Sequence, residues 1–325
     1  ILLLILHMRG ADLSTYKIDV PAKLFIAGEY AVTRLGGLAL VTSLESDFQV
    51  VISEVEGHSL LETNVAMPAH AFSVKEIKPE QSGPWNFVMT AIKYMSKEVE
   101  LTREFHLEIK SGLGFGENKK GYGSSACVVV GVVNALNLFF QLNLPLKKRF
   151  EIAAQAHYDV QGSGSRGDVA AIMYGGSIFY ENHQRVLPLK IPWQPYVVQT
   201  AQSAKTVEKL KHQLSEAFYV KSDELVIEIS TAIDMQDFAL FKEKLLENQL
   251  LLIEHQAKGY MTDQLALALN IVNSQPEFAG KISGAGFGEN IILFAEREDK
   301  IVELRSALEA EGMKLEKIRI GKQNE

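Results

Sequence analysis

A run of eighteen mostly apolar residues, Ser124 to Gln141, directly follows a glycine-dense segment at positions 112–123. A run of this length and composition is typical of a helix that is buried on most sides. Asn134 and Asn137 lie within it and it lacks flanking anchors, so the pattern favours a core helix over a membrane span. The chain is therefore expected to fold around this helix, with a glycine loop at the helix N-terminus.

Composition supports a globular protein with more than one domain. The 325 residues are 47% hydrophobic, which is enough to bury a sizeable core and excludes a disordered or fibrous chain. The net charge of −7 argues against nucleic acid or an anionic membrane as the main partner. Cys127 is the only cysteine, so an intrachain disulfide and a thiolate metal cluster are excluded and a cytoplasmic location is expected.

The order of strand and helix patterns suggests an α+β fold with two halves. Strands are predicted at 17–20 with 24–27, at 48–55, 105–109, 291–295 and 314–320, and around 177–180 after a short helix. Helices are predicted at 149–160, 203–216, 222–234, 237–255, 262–274 and 299–311. Three prolines between positions 188 and 195 mark the clearest composition break, which predicts domains at 16–190 and 191–325. Residues 1–15 are expected to be a leader or cloning-derived segment that plays no part in the fold.

Two loops contain residues that suit phosphate chemistry. Gly121 to Ala126 opens the buried helix, where free N–H groups and the helix dipole favour a bound phosphate and where serine hydroxyls can bind phosphate or Mg²⁺. A tight turn with a serine N-cap explains the same residues equally well. The loop lacks the G-K-[ST] ending of a Walker A motif.

Three other residues each have an ordinary structural explanation as well as a chemical one. Asp168 follows a glycine- and serine-rich loop, where it can accept a proton from a substrate hydroxyl or simply cap a helix. Lys23 and Glu29 flank a predicted strand end, where solvated surface roles are the default. The eight histidines lack ligand spacing, so a dedicated transition-metal site is not expected.

Taken together, three segments resemble the motifs of the GHMP kinases. Residues 21–32 (P-A-K-L-F-I-A-G-E-Y-A-V) are similar to the first motif, and 119–126 (K-K-G-Y-G-S-S-A) to the phosphate loop. Residues 281–290 (K-I-S-G-A-G-F-G-E-N) resemble the third motif, a glycine turn late in the chain. This resemblance implies an N-terminal domain like ribosomal protein S5, a ferredoxin-like C-terminal domain, and ATP-dependent phosphorylation of a small molecule with Mg²⁺.

The resemblance also implies roles for individual residues. Lys23 and Asp168 would be catalytic. The ATP phosphates would contact Gly121, Gly123, Ser124, Ser125 and Ala126, and Ser125 would also bind the metal. Substrate-binding positions would be Lys23, Glu29, Ser165, Arg166, Gly284, Ala285 and Gly286.

Within the superfamily the motifs are most similar to those of phosphomevalonate kinases. The Gly-Glu-Tyr-Ala sequence at 28–31 and the Lys119-Lys120 pair support this, and Arg166 would add positive charge for a phosphorylated substrate. Mevalonate kinases have a Mg²⁺-binding Glu eleven residues before the catalytic Asp, where this chain has His157. The implied activity is phosphorylation of (R)-5-phosphomevalonate by a monomer or homodimer.

Two alternatives stay open. The first is a mevalonate kinase or another small-molecule kinase of the superfamily, supported by the segment 247–251 (E-N-Q-L-L), which resembles a mevalonate kinase helix. The second is a homologue that binds its ligand without catalysis, suggested by the altered third motif, in which Phe287 and Glu289 replace expected residues.

Overall fold

The structure is a computed structural model, and it describes residues 4–5, 15–78, 83–113, 121–200, 214–256, 259–287 and 290–324. The pair Lys119-Lys120 and the residues Gly288 and Glu289 lie outside these ranges. The strands are β1 Leu4–Ile5, β2 Thr15–Ala27, β3 Leu38–Glu54, β4 Ser59–Thr63, β5 His70–Phe72, β6 Phe105–Lys110, β7 Ser177–Glu181, β8 Arg185–Leu189, β9 Gln194–Gln199, β10 Phe278–Ile282, β11 Ile291–Ala295 and β12 Lys314–Lys317. The helices are α1 Asn86–Ser96, α2 Ser124–Phe139, α3 Leu146–Gln161, α4 Gly167–Tyr174, α5 Glu216–Met235, α6 Phe238–His255, α7 Asp263–Asn273 and α8 Ile301–Ala310, with a 3₁₀ turn at Ala31–Thr33.

The long strand β3 organises the first sheet, which has the order β1-β2-β3-β6-β4-β5 with β7 and β8 attached through β3. Its first part pairs with β7 and its second part with β6, while β2 runs along most of its length. The first part is buried on both faces, so its sequence does not alternate, and only the second part was predicted. Strand β2 confirms the predicted interrupted strand, with a bulge between Val20 and Ala22 next to Pro21.

Helix α2 packs on this sheet and confirms the predicted core helix. Twelve of its sixteen residues are buried. At Gly131 a Cβ atom would stand 2.5 Å from Val50 Cγ2, so the absence of a side chain there lets the helix approach β3 closely. Among the described helices, none combines the length and the apolar character that a membrane span requires.

The second sheet has the antiparallel order β10-β11-β9-β12, and helices α6 and α7 pack against β10. Strand β11 and helices α5 to α8 match the predicted elements, whereas the predicted helix at 203–216 lies mostly outside the described residues. The two sheets share a core, since the Trp193 ring lies 4.6 Å from Phe241 and belongs to the same hydrophobic cluster as α2. The domain bounds of 16–190 and 191–325 stay a prediction.

The ends of the chain add to the first sheet in ways that the sequence did not predict. Leu4–Ile5 pairs with β2, so these two residues do take part in the fold. Strand β12 ends at Lys317 rather than at Ile320, and the following tail, residues 319–324, crosses back to the first sheet. Gly176 N–H donates to Gly321 O at 3.0 Å, and Asn324 N–H donates to Tyr174 O at 2.7 Å.

Candidate active site

The glycine loop before α2 is built against Lys23. The Lys23 backbone N–H donates to Tyr122 O at 3.1 Å, and its Nζ lies 3.4 Å from Gly121 O. Gly123 has φ +80°, and a Cβ atom there would lie 2.8 Å from Lys23 Cε, so only glycine fits this position. Lys23 is buried at 8% exposure, and its expected default role as a solvated surface cation is therefore wrong.

The first turn of α2 offers its N–H groups to a ligand. Gly123 is the N-cap residue and no side chain caps the helix, so the serine N-cap considered as an alternative is absent. The N–H groups of the first turn have no acceptor within the helix, and the helix dipole adds positive potential. Ser124, Ser125 and Ala126 stand in this turn, which is an arrangement suited to a phosphate group.

Ser125 is held by His157. The Ser125 Oγ atom lies 3.0 Å from His157 Nε2, and the Phe87 ring lies tilted against the imidazole with the two ring centres 5.4 Å apart. Burial lowers the pKa of His157, the nearby Asp168 charge opposes this shift, and Lys23 adds to it. A neutral imidazole, either donor or acceptor at Nε2 according to its tautomer, therefore fixes the serine hydroxyl.

Asp168 stands in the first turn of α4, where Val169 N–H donates to its Oδ1 atom at 2.9 Å. The N-cap of α4 is Arg166, so the capping role considered for Asp168 is wrong. Helix α4, which carries Asp168, packs against β2, which carries Lys23, and against α2, and the charges of both residues act on the pKa of His157 and Cys127. The structure thus brings the two predicted catalytic residues to the same place, next to the N-terminus of α2.

Arg166 has an unusual backbone for a long side chain, with φ +62°. Its NH2 atom donates to Gln155 Oε1 at 2.9 Å, and Gln155 is held in turn by Asp159. Its Nε atom is buried and has no partner among the described residues. Ser165 is buried beside it, and its Oγ accepts from Gly167 N–H at 3.2 Å.

The third glycine turn lies against the first motif. Glu29 is 4% exposed and forms an ion pair with Lys281, which is fully buried, so its expected surface role is also wrong. Gly284 N–H donates to Glu29 Oε1 at 3.3 Å, and Tyr30 Oη donates to Ala285 O at 2.6 Å. All three predicted motifs thus meet at one site, with Lys23 joining the first to the second and Glu29 joining it to the third.

An apolar pocket opens beside the first turn of α2. Ser124 and Ser125 form its polar edge, and its walls come from β3, β4, β6 and the start of α1. The apolar lining includes Phe48, Val65, Met67, Trp85, Phe87, Ile109 and Val128. The pocket adjoins the first turn of α2, a position suited to a planar aromatic group attached to a phosphate chain.

Comparison with known proteins decides the family. The model of the GHMP kinase N-terminal domain matches residues 86–176, and that of the C-terminal domain matches residues 229–314. This chain is a GHMP kinase. It belongs to a family of ATP-dependent small-molecule kinases, and it has the family's fold of N- and C-terminal domains.

Individual relatives of this GHMP kinase include two kinds of mevalonate-pathway enzyme. The phosphomevalonate kinase of Streptomyces sp. (strain CL190) is 25% identical over 57% of this chain and 58% of its own length. The mevalonate kinase of Methanocaldococcus jannaschii is 23% identical over 92% of this chain and 97% of its own. The structure of Streptococcus pneumoniae phosphomevalonate kinase with phosphomevalonate and AMPPNP has a TM-score of 0.83 at 21% identity, covering 94% and 99% of the two chains.

Several residues of the site were missed by sequence reasoning. Lys281 lies within the third motif but was not assigned a role, and Tyr30 was noted only as a family variation. Tyr122 lies within the second motif and was not assigned a role, and its Oη accepts from Nε2 of Gln199, on β9 of the second sheet, at 3.0 Å. Burial raises the pKa of Tyr122 to about 12, so this phenol stays protonated. No local sequence pattern predicts these contacts, because the two residues of each contact are 77 to 255 positions apart in the sequence.

Proposed function

We propose that this GHMP kinase transfers the γ-phosphoryl group of ATP to (R)-5-phosphomevalonate, giving the 5-diphosphate and ADP. The observation that carries the acceptor is Arg166, a cation two residues from Asp168 whose Nε atom has no hydrogen-bond partner in the described part of the chain. The Streptomyces and Streptococcus phosphomevalonate kinases support the same acceptor. The protein is proposed to work in the cytoplasm, as a monomer or homodimer.

ATP fits the pocket and the helix together. The adenine would lie among the apolar residues of the pocket, next to Trp85 and Phe87. The phosphates would then reach the N–H groups of the first turn of α2, where Gly121 and Gly123 let the backbone approach closely. The family and the AMPPNP complex of the Streptococcus protein support this nucleotide.

Mg²⁺ is implied by the chemistry of ATP, and the donor set fits it. Magnesium prefers hard oxygen ligands and is commonly bound through substrate phosphates with one or two protein oxygens. Ser125 Oγ and the Asp168 carboxylate are such oxygens beside the phosphate-binding turn. The described residues contain no cluster of three His, Cys, Asp or Glu side chains able to hold a metal on their own, so the phosphates would supply most ligands. When bound, the ion would neutralise charge on the transferred phosphoryl group.

Transfer would depend mainly on positioning and charge. The nucleophile is an oxygen of the acceptor's phosphate, which is largely ionised near neutral pH, and Asp168 would accept the remaining proton when one is present. The Lys23 ammonium, held by Gly121 O, would reduce repulsion between the acceptor oxygen and the γ-phosphate. Glu29, Ser165 and residues Gly284 to Gly286 are proposed to shape the acceptor site around these two groups.

Arg166 is the group that favours a phosphorylated acceptor over an alcohol. Its guanidinium donates from NH2 to Gln155 and lies 5.7 Å from the centre of the Tyr158 ring, which leaves further N–H donors for an anion. The left-handed backbone at Arg166 is costly for this residue type, and such strain is retained mainly at functional positions. A bidentate arginine contact to phosphate is among the strongest charge-assisted hydrogen bonds in proteins.

A second candidate is mevalonate kinase activity, with an alcohol acceptor. The M. jannaschii enzyme aligns with 92% of this chain, whereas the Streptomyces phosphomevalonate kinase aligns with 57%.

A third candidate is a ligand-binding homologue without catalysis. It is favoured by Phe287, which has φ +61° and so occupies a conformation that glycine usually adopts.

The test is a coupled assay of ADP release with Mg·ATP, run in parallel on 5-phosphomevalonate and on mevalonate. We expect turnover on phosphomevalonate that is lost in Asp168→Ala. In Arg166→Gln, KM for phosphomevalonate should rise about 10- to 100-fold, because a charged hydrogen bond is lost, while KM for ATP stays unchanged. Turnover on mevalonate alone would overturn the proposed acceptor. Nucleotide binding without ADP release on either compound would overturn both acceptors and leave either a different small-molecule acceptor or the non-catalytic candidate.

A further inference from the structure

The buried ion pair between Lys281 and Glu29 joins the two sheets inside the site. Glu29 lies just after β2, and Lys281 is the fourth residue of β10, which belongs to the second sheet. Lys281 is fully buried and its Nζ also donates to Ile282 O at 2.6 Å. The ammonium group is therefore held on two sides, by the carboxylate of one motif and by the backbone of another.

Stability does not explain why such a pair is present. Desolvation of two charges offsets most of their attraction, and apolar residues of similar volume often replace a buried pair without loss of stability. Burial lowers the pKa of Lys281 and the Glu29 carboxylate opposes that shift. The pair is thus costly to maintain for folding alone, which points to a role in the site that it adjoins.

What the pair holds is the third glycine turn. The Glu29 Oε1 atom that pairs with Lys281 also accepts from Gly284 N–H at 3.3 Å. The next residue, Tyr30, donates from its hydroxyl to the next carbonyl, Ala285 O, at 2.6 Å. Two consecutive residues of the first motif therefore form hydrogen bonds with two consecutive residues of the third motif.

The backbone is strained at Tyr30, one of the two residues that form these hydrogen bonds. Tyr30 has φ +64°, which is rare for a bulky side chain and is retained where the surrounding structure enforces it. On the opposite side, Ile282 N–H donates to Gln249 Oε1 at 2.7 Å, so the turn is also anchored from α6. The turn is therefore held from two sides, by Glu29 and Tyr30 after β2 and by Gln249 on α6.

We propose that Lys281 is a positioning residue for the acceptor site: it orients the Glu29 carboxylate, and Glu29 and Tyr30 in turn fix the Gly284–Ala285 turn. This inference rests on the proposed function only for the identity of the acceptor. Neither residue of the ion pair needs to touch substrate. Loss of these hydrogen bonds displaces the Gly284–Ala285 turn and weakens acceptor binding. Binding of the nucleotide at the N-terminus of α2 does not change.

The experiment compares two double variants in the full chain. Glu29→Leu with Lys281→Met removes both charges and the acceptor for Gly284 N–H, whereas Glu29→Gln with Lys281→Met removes the charges but keeps an oxygen acceptor. The matched control is Glu277→Gln with Arg297→Met. It removes the ion pair between Arg297 NH2 and Glu277 Oε1, which are 3.1 Å apart and lie at the end of β10 opposite to Lys281. Each protein is examined by thermal unfolding, by hydrogen exchange of a peptide spanning 278–287, and by steady-state kinetics on the acceptor that the wild type uses.

In the leucine variant we expect faster exchange in the 278–287 peptide and a fall of about 100-fold in kcat/KM, mostly through KM for the acceptor. KM for ATP and the unfolding midpoint should change little. The glutamine variant should recover to within about 10-fold of wild type, because one turn contact is restored. The control should match the wild type in exchange and in kinetics.

Wild-type exchange and wild-type acceptor KM in a folded leucine variant would overturn the proposal, and so would equal losses for ATP and acceptor. If that variant does not fold, Tyr30→Phe removes the hydroxyl that donates to Ala285 O, and an unchanged acceptor KM together with unchanged exchange would overturn the proposal. Hydrogen exchange needs no substrate, so it still decides the positioning role if the wild type turns over neither phosphomevalonate nor mevalonate, an outcome that defeats the proposed function alone.

Discussion

Substitution of Gly123 by alanine should damage activity much more than stability. At φ +80° an alanine costs about 1–2 kcal/mol of backbone strain, which corresponds to a fall in Tm of about 2–6 °C. The added Cβ would also lie 2.8 Å from Lys23 Cε and 3.0 Å from its Cγ. The lysine stem must therefore move, and its Nζ must leave its place beside Gly121 O.

A shift of about 1 Å in a catalytic group typically costs about 100-fold in rate, equivalent to about 2.7 kcal/mol in the activation barrier. We therefore expect kcat of Gly123→Ala to fall about 100-fold in the ADP-release assay, with Tm followed by scanning fluorimetry. Gly57→Ala is the matched control, because Gly57 has φ +91° and open space around its Cβ position. It should show a similar fall in Tm and wild-type kcat. Wild-type kcat in Gly123→Ala, or equal rate losses in both variants, would refute the argument that Lys23 is displaced.

Three further predictions follow from single contacts. Asp168→Asn should lower kcat by about 10²–10⁴-fold without changing the dissociation constant of Mg²⁺-free ATP, and titration calorimetry with ATP and EDTA checks the second point. Tyr122→Phe removes the hydroxyl that accepts from Gln199 and should lower the free energy of unfolding by about 1 kcal/mol, since Gln199 keeps its bond to Glu316; urea titration measures this, and no change would contradict it. Burial raises the pKa of Glu104, but hydrogen bonds from Ser59, Ser73 and Val74 outweigh burial and leave the pKa below its ordinary value. The stability from this carboxylate is therefore present above its unfolded pKa and lost as pH falls through the lower folded pKa, so Tm of Glu104→Gln should depend less on pH than wild type between pH 6 and 3.

Local patterns in the sequence predicted the elements with a clear period and the motifs with unusual residues. Helix α2 was identified because its apolar run is long, and β6 because its residues alternate. The first part of β3 was missed, because a central strand buried on both faces has no alternation to detect. The short strands β4 and β5 were missed as well, since each depends on pairing with a neighbour rather than on its own sequence.

The sequence predicted many residues of the candidate site but few of the contacts between them. Lys23, Ser125 and Asp168 were named from motif resemblance, and the structure brings them together, although their chemical roles stay predictions. The assumed capping roles of Ser125 and Asp168 were wrong because the backbone places Gly123 and Arg166 at the caps instead. Glu29 and Lys281 are 252 residues apart in the sequence. Neither composition nor hydrophobic periodicity can predict an ion pair between residues so far apart.

The C-terminal tail has a consequence for how the chain is made. Ser43 O, Tyr174 O and Gly176 N–H of the first sheet and its α4 turn bond to residues between Gly321 and Asn324. Residues 321–324 leave the ribosome long after Ser43, Tyr174 and Gly176, so these three backbone groups stay without their partners until then. Contacts of such long sequence separation form slowly and leave exposed edges in the meantime. The nascent chain should therefore expose this edge to chaperones until residues 321–324 emerge.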